Sequence, residues 1–224
     1  MYLYIKMPTL GVAIPCYYGH INILKNLLDS IERQTRKPDM VVVSCSSSND
    51  TPYTQDQYSF PLTIITNPNK MNTAQNRNIA ANALDTDIIS FIDADDQMHF
   101  QRLEIIEKAF ENDIVVFLHN YIEGFDKPDI KYDDIVFDIN RIGLYPCGWM
   151  ICHIDNPIPC IIHNAHVSIH KTVFGFIKYN ESPDWCTKED SLFNSQIIRM
   201  FPNNTAYCSL ELTKYIATCS NINI

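Results

Sequence analysis

Two aspartates, Asp93 and Asp95, stand two positions apart directly after an apolar run, Asp87 to Ile92. Carboxylates at a strand end, where the backbone turns away, can converge on one hard cation and on a sugar hydroxyl. Mg²⁺ or Mn²⁺ accepts such oxygen ligands while it also bridges phosphate oxygens. The alternative is a surface loop with capping acids, in which Asp96 is a candidate N-cap for the next helix.

A second acidic pair, Glu189 and Asp190, begins a segment of helical periodicity that extends to Met200. The helix dipole favours a carboxylate at this position whether or not it takes part in chemistry. The pair therefore consists either of capping acids or of candidates for a general base, which accepts a proton from an attacking hydroxyl. The occurrence of both acids together, after a strand predicted over residues 165–169, favours the general base.

These acids must be positioned by the elements around them, and apolar runs alternate with helical periodicity through the first half of the chain. The predicted strands are Leu10 to Ile14, Met40 to Val43, Leu62 to Thr66, Asp87 to Ile92 and Ile114 to Leu118, and the predicted helices are His20 to Gln34, Thr73 to Leu84 and Phe100 to Asn112. This alternation predicts a mostly parallel sheet, in which ligands bind beyond the carboxyl ends of the strands. Residues 121–159 look irregular, with short strands.

Four short motifs occur in order between residues 10 and 200 and resemble those of glycosyltransferase family 2. They are Val12-Ala13-Ile14-Pro15-Cys16-Tyr17, Ala74-Gln75-Asn76-Arg77-Asn78-Ile79, Asp93-Ala94-Asp95-Asp96 and Lys188-Glu189-Asp190. One such motif is weak evidence, whereas four in order are strong. The resemblance implies an α/β fold of the GT-A type, with a Rossmann-like, mostly parallel central sheet flanked by helices and a smaller irregular acceptor-side region.

The same resemblance implies one catalytic domain over residues 1–224. Its nucleotide-sugar-binding half would cover about 8–118 and its acceptor-binding half about 119–224. Such a domain is an inverting hexosyltransferase, which moves a sugar from a nucleotide diphosphate donor to a carbohydrate or glycoconjugate acceptor.

The resemblance assigns residues to the donor and to the metal. Pro15 and Tyr17 would flank the nucleoside, and Arg77 would reach the base or the phosphates. Asp93 would hold the ribose and Asp95 the metal, with Asp93 a second candidate ligand for the Mn²⁺ or Mg²⁺ ion. The metal would stabilise the charge that develops on the departing diphosphate.

The resemblance also assigns the acid–base chemistry. Asp190 would be the general base for the acceptor hydroxyl, with Glu189 beside it.

Two features depart from the family pattern. Many relatives carry an acid in the loop after the second strand, where it reads the nucleobase, but here Cys45 or Ser46 stands at that place. UDP stays the favoured carrier, and GDP and dTDP remain open. Some GT-A enzymes add a histidine beyond the base as a metal ligand, whereas the last histidine here, His170, precedes Asp190.

Four histidines and two tryptophans have no assigned role. The histidines His153, His163, His166 and His170 suggest a zinc site. However, the Ile-rich, Pro-broken sequence around them is not typical of a helix, and on a strand His166 and His170 would share a face that His163 would not. Packing or acceptor-pocket roles are favoured over zinc. Trp149 and Trp185 are candidates for an acceptor sugar site or for buried core aromatics.

Composition excludes several classes of partner. The net charge of −9 and a pI near 5.1 disfavour nucleic acid and anionic membranes, both of which need clustered Lys and Arg. Membrane-spanning segments and a signal peptide are not expected. The eight cysteines form no CxxC pair, which favours a reduced, cytoplasmic protein.

Two other functions compete with the transferase. A sugar nucleotidyltransferase would need a Gly-rich phosphate loop after the first strand, where this chain has Pro15-Cys16-Tyr17-Tyr18-Gly19. A degenerate GT-A domain would bind only a carbohydrate or a protein. The acids at Asp93, Asp95, Glu189 and Asp190 count against it, and Cys45 in place of an acid keeps it open.

Overall fold

The fold was analysed in a computed structural model, which describes residues 7–123, 130–148, 150–155, 166–185 and 187–216. The described strands of the main sheet are β1 (Leu10–Tyr17), β2 (Met40–Ser46), β3 (Leu62–Asn67), β4 (Ile88–Phe91), β5 (Gln97–Met98), β6 (Val116–Glu123), β7 (Asp138–Ile139), β10 (Val167–His170) and β11 (Thr205–Tyr215). A separate pair is formed by β8 (Ile142–Leu144) and β9 (Ile151–His153).

The main sheet has the strand order β3-β2-β1-β4-β10-β6-β11-β5, with β7 beside β11. Strands β3, β2, β1 and β4 are mutually parallel. Strand β10 is antiparallel to both of its neighbours, and β11 is parallel to β6. The carboxyl ends of β1, β2 and β4 therefore lie along one edge, which is where ligands bind in sheets of this kind.

Five helices are described: α1 (Ile21–Glu32), α2 (Thr73–Ala83), α3 (Arg102–Phe110), α4 (Lys171–Phe176) and α5 (Glu189–Met200). Helix α1 buries a stripe of apolar residues that includes Leu24, Leu28 and Ile31, as its periodicity predicts. Helix α2 starts at a capping box, in which the side chains of Asn72 and Gln75 each accept a hydrogen bond from the other residue's backbone.

Apolar side chains cover both faces of the sheet. One buried cluster joins Val12 and Val43 to residues of α1 and α3, and the other joins Ala13 and Val42 to residues of α2, α4 and α5. Successive strand residues fall into opposite clusters because side chains alternate across a sheet. The strands read as continuous apolar runs for this reason.

The structure confirms the predicted α/β architecture and corrects it in three places. Strand β6 continues to Glu123, beyond the predicted end at Leu118. Strand β11, which the sequence analysis did not anticipate, pairs with β6, β7 and β5. The N-cap of α3 is Gln101, so the alternative role of Asp96 as that cap is wrong.

Candidate active site

The end of β1 places Tyr17 and His20 against each other. The two rings lie 4.3 Å apart between centroids. A methyl group at Gly19 would come within 2.5 Å of the Tyr17 ring, so this turn needs a residue without a side chain. Pro15 is buried at the end of the strand, and the turn therefore holds Tyr17 in a fixed position at the sheet edge.

Cys45 lies at the same edge, beside Cys16, because the two residues are partners in the parallel register of β1 and β2. Both thiols are buried. Cys16 Sγ donates to the Tyr17 carbonyl and Cys45 Sγ to the Ser46 carbonyl. The interaction between the two neighbouring thiols raises the pKa of Cys16 and lowers the pKa of Cys45. The cysteine at the place of the family's acid is thus part of a buried thiol pair.

Helix α2 supplies three polar residues, Asn76, Arg77 and Asn78, which are all buried. The Asn76 amide accepts a hydrogen bond from Ser44 and donates one to Ser46 in β2, at 2.9 and 3.0 Å. The Asn78 amide donates to the Tyr179 carbonyl at 2.9 Å. The polar interruption in this Ala-rich helix therefore faces the interior, and each residue contacts a different element.

Arg77 connects the two acidic motifs. Its Nη2 donates to Asp93 Oδ1 and Oδ2 at 2.8 and 3.1 Å, and its Nη1 donates to Glu189 Oε1 at 3.0 Å. The guanidinium also lies over the Tyr179 ring, 5.1 Å from its centroid. The structure therefore brings together Asp93 and Glu189, which are distant in sequence, and a base or phosphate contact by Arg77 stays a prediction.

Burial and charge act in opposite directions on this cluster. Burial lowers the pKa of Arg77, but Asp93, Tyr179 and Glu189 raise it, and the net effect is a raised pKa. Burial raises the pKa of Glu189, against the opposing effect of Arg77. The Arg77 guanidinium therefore stays charged. Its positive charge stabilises the buried negative charge of the Glu189 carboxylate.

Asp95 lies next to His20, with 3.9 Å between Asp95 Oδ2 and His20 Nε2. This nitrogen is buried and has no hydrogen-bond partner among the residues that the structure describes. A carboxylate oxygen and an unpaired imidazole nitrogen that face each other fit a divalent cation. Within the described ranges no three His, Cys, Asp or Glu residues could hold a metal by themselves, so a cation held by Asp95 and His20 would need further ligands.

Asp190 lies in the first turn of α5, directly after Glu189, and is half-buried. Its Oδ1 accepts a hydrogen bond from the Ser191 backbone at 2.6 Å. Its charge contributes to the raised pKa values of Arg77 and Glu189. Asp190 therefore stands beside the buried cluster while its carboxylate keeps contact with solvent.

Asp96 is buried and does not cap α3, which was the alternative role considered for it from the sequence. Its Oδ2 lies 3.1 Å from His166 Nε2, and its Oδ1 accepts a hydrogen bond from the Ile216 backbone at 3.1 Å. Burial raises its pKa to about 8. The His166 ring stacks on the His119 ring, with 5.6 Å between the centroids. Asp96 thus connects the acidic loop to the start of β10 through His166, to β6 through the stacked His119, and to the end of β11 through Ile216.

The described histidines of the suggested zinc group do not form one site. His153 lies on β9 near Asp138 and Asp155, His166 contacts Asp96, and His170 caps α4. His163 and Trp149 lie outside the described residues. Trp185 is 39% exposed and belongs to a short turn just before α5.

Two residues that contact the predicted site were not selected from the sequence, His20 and Tyr179. His20 stands three positions after Tyr17, and this spacing is the signal that could have indicated it. Tyr179 belongs to none of the four motifs, and only the fold places its ring beside the Arg77 guanidinium. Within the described part of the chain, no helix has both the length and the apolar character needed to cross a membrane.

Comparison with known proteins gives the same fold. TarS 1-349 of S. aureus in complex with UDP superposes with a TM-score of 0.67 and 15% identity, covering 94% of this chain and 61% of that chain. The complex of TarS 1-349 with UDP-GlcNAc gives a TM-score of 0.66 at 15% identity, covering 94% and 59%. The architecture is the GT-A fold.

The sequence comparisons name a family. An uncharacterized glycosyltransferase of Haemophilus influenzae is 28% identical over 102 residues, which is 46% of this chain and 34% of that protein. The chain thus spans about a third of this relative and about 60% of the TarS chain. The family model described as "Glycosyl transferase family 2" matches residues 11–157. With well over half of its length matched, the chain belongs to glycosyltransferase family 2.

Proposed function

We propose that this domain is an inverting glycosyltransferase that transfers a sugar from a nucleotide diphosphate donor to a hydroxyl of a carbohydrate or glycoconjugate. The observation that carries the proposal is the cluster at the sheet edge, in which Arg77 holds Asp93 and Glu189 together. Asp190 lies next to this cluster. The proposal is supported by the proximity of this cluster, which carries candidate donor-binding residues, to Asp190, which is the candidate general base.

The donor half of the reaction uses the ends of β1, β2 and β4. Pro15, Tyr17 and Cys45 would flank the nucleoside, and Asp93 would accept a hydrogen bond from the ribose. Asp95 would hold the Mn²⁺ or Mg²⁺ ion, with Asp93 as a second candidate. When bound, the cation stabilises the negative charge on the departing diphosphate.

The acceptor half uses Asp190. Its carboxylate would take the proton from the acceptor hydroxyl as that oxygen attacks the anomeric carbon on the face opposite the diphosphate. Attack from the opposite face inverts the anomeric configuration. Glu189 would stay bound to Arg77 and fix the first turn of α5, which orients Asp190 toward the acceptor.

A UDP-sugar is the favoured donor. Its support comes from the structural neighbour TarS, which was crystallised with UDP and with UDP-GlcNAc. At 15% identity this similarity shows the fold alone and not the donor. GDP- and dTDP-sugars are therefore tested beside UDP-sugars. A cytoplasmic location stays a prediction from the sequence.

The experiment measures binding of UDP, GDP and dTDP by calorimetry, with Mn²⁺ and with EDTA, followed by turnover of the corresponding nucleotide sugars. UDP should bind to the parent in the presence of the cation. Asp95→Asn should weaken cation-dependent binding by about 10-fold or more. Asp29→Asn, a variant on the outward side of α1 where Asp29 pairs with Lys25, is the matched control and should bind normally.

Two results would contradict the proposal. If Asp95→Asn retains the parent's affinity for Mn²⁺ and UDP, the metal assignment is wrong. Absence of binding and turnover with every carrier would instead favour the degenerate binding module.

A further inference from the structure

The imidazole of His20 is the group near the acidic loop that the proposed reaction leaves without a role. It stands in the turn after β1, and its Nε2 lies 3.9 Å from Asp95 Oδ2. That distance exceeds a hydrogen bond. The nitrogen is nevertheless buried, with no hydrogen-bond partner among the described residues.

The ring is positioned by one neighbouring side chain and by the turn that carries it. The Tyr17 ring packs against it at 4.3 Å, tilted by 59°. His20 occupies the N-cap position of α1, but its side chain makes no capping hydrogen bond there. The imidazole is therefore placed by the turn, and its Nε2 is available to a ligand.

The spacing of the two atoms fits donor groups that share one cation. With metal–ligand distances of about 2.1 Å, neighbouring ligands lie about 3.0 Å apart and opposite ligands about 4.2 Å apart. The observed 3.9 Å falls between these values. Binding of a cation therefore needs only a small adjustment of either side chain.

We propose that His20 is a protein ligand of the divalent cation, through Nε2, together with Asp95. The proposal rests on the function proposed above and adds the choice of metal to it. An imidazole nitrogen suits transition-metal ions, whereas Mg²⁺ strongly prefers oxygen ligands. The site should therefore select Mn²⁺ or Co²⁺ over Mg²⁺.

The proposal also predicts that Mn²⁺ and UDP strengthen each other's binding. Asp95 and His20 provide two donor atoms, and a six-coordinate cation needs four more. Since no group of three suitable side chains exists among the described residues, the diphosphate and water must supply them. The protein should therefore bind Mn²⁺ weakly alone and tightly in the presence of UDP.

The test is pulsed electron paramagnetic resonance of Mn²⁺ bound to the full chain with UDP. A nitrogen nucleus coordinated directly to Mn²⁺ gives a characteristic modulation, which ¹⁵N-labelled histidine alters. The parent should give this signal, and His20→Ala should abolish it. His20→Ala should also weaken Mn²⁺ affinity in the presence of UDP by about 10-fold or more, with a smaller loss for Mg²⁺.

The control variant is His153→Gln, which changes another half-buried histidine that lies on β9. It should keep the nitrogen signal and the affinity. A melting temperature of His20→Ala close to that of the parent verifies folding, and His20→Asn provides a second variant that retains polarity.

Each outcome is distinct. If the parent binds Mn²⁺ and UDP without a nitrogen signal, or if His20→Ala keeps the signal, the ligand role of His20 is wrong while the proposed function stands. If the parent binds UDP equally well with Mn²⁺ and with EDTA, the metal dependence of the proposed function fails, and the role of His20 fails with it.

Discussion

Asp190 is the residue on which the proposed chemistry depends most directly. Asp190→Asn keeps the size and polarity of the side chain but removes its ability to accept a proton. Transfer, or slow hydrolysis of the donor, should fall by about 10²-fold or more, which is the scale of general-base catalysis. Affinity for UDP should stay near that of the parent, as measured by calorimetry, because the donor does not contact this residue.

A purely structural role of Asp190 predicts a different result for the same variant. If Asp190 only stabilises the first turn of α5, whose N-cap is Lys188, loss of its charge should cost at most about 1 kcal/mol of helix-dipole stabilisation, and turnover should survive. Unchanged turnover would therefore refute the assignment, and Glu189→Gln would be the next variant to test as the base.

Arg77 offers a prediction about stability. Arg77→Met removes the partner of Glu189, whose side chain is 9% exposed, and of Asp93. Loss of one partner from a buried ion pair costs about 3–5 kcal/mol. Urea denaturation should show a loss of this size, while Glu189→Gln, which still accepts a hydrogen bond from Arg77, should lose much less.

The loss of folding stability caused by Arg77→Met should depend on pH in one direction. Burial raises the pKa of Glu189 above its ordinary 4.5, and removal of Arg77 should raise it further. A folded state with a raised carboxyl pKa binds more protons than the unfolded state, so its stability falls as pH rises above 4.5. The deficit of Arg77→Met should therefore grow from pH 4.5 to 7, and a deficit that stayed constant would mean that Glu189 is not the affected group.

The acids of the site could be predicted from local sequence, whereas their partners could not. Asp93 and Asp95 follow a buried strand, and that context alone marks them. The bond from Arg77 to Glu189 spans 112 positions, and no local pattern contains such a contact. The same holds for His20, because its distance to Asp95 depends on the parallel pairing of β1 and β4.

Helix α2, which carries Arg77, ends against a lysine from α4. The Lys171 ammonium donates hydrogen bonds to the carbonyls of Ala81 and Leu84, both at 2.7 Å. Lys171→Met would leave both carbonyls without this donor and should cost about 1–3 kcal/mol in urea denaturation.

The matched control is Lys178→Met. Lys178 is exposed, and its ammonium lies 3.3 Å from the Asn82 side chain and 5.7 Å from the centroid of the Phe174 ring. Its loss should therefore stay within about 1 kcal/mol. Equal effects of the two variants would show that Lys171 does not stabilise the helix end.

The elements differ in how readily their sequences indicate them. The first four strands and α1 have regular apolar patterns, and their positions were predicted to within a few residues. Strand β11 contains two shifts in its pairing with β6, and such bulges interrupt the alternation of apolar and polar residues. Its buried positions also include the polar Thr205 and Thr213, which makes the strand harder to recognise from an apolar pattern.

At the scale of the whole molecule, the two apolar clusters lie on opposite faces of one sheet. Ile31 belongs to one cluster and Ile197 to the other, and both are fully buried. Ile31→Val and Ile197→Val should each cost about 0.5–1.5 kcal/mol. The double variant should equal their sum within about 0.5 kcal/mol, because the residues share no contacts across the sheet.

Circular dichroism during urea denaturation measures these values, with the 52% exposed Met200 changed to Ala as a control that should have little effect. A single cooperative transition is expected for every variant. Two separate transitions would show that the faces unfold independently, and the chain would then contain more than one cooperative unit.

The shared guanidinium of Arg77 has a consequence for how two substrates communicate. In the proposed reaction Asp93 would face the donor and Glu189 would adjoin the general base. A ribose that turned Asp93 away from Arg77 would then strengthen the ion pair between Arg77 and Glu189. Donor binding would then order the start of α5 and raise the affinity for the acceptor. Thermodynamic linkage requires the acceptor to raise donor affinity by the same factor, and the two substrates would bind cooperatively and in a preferred sequence, donor first.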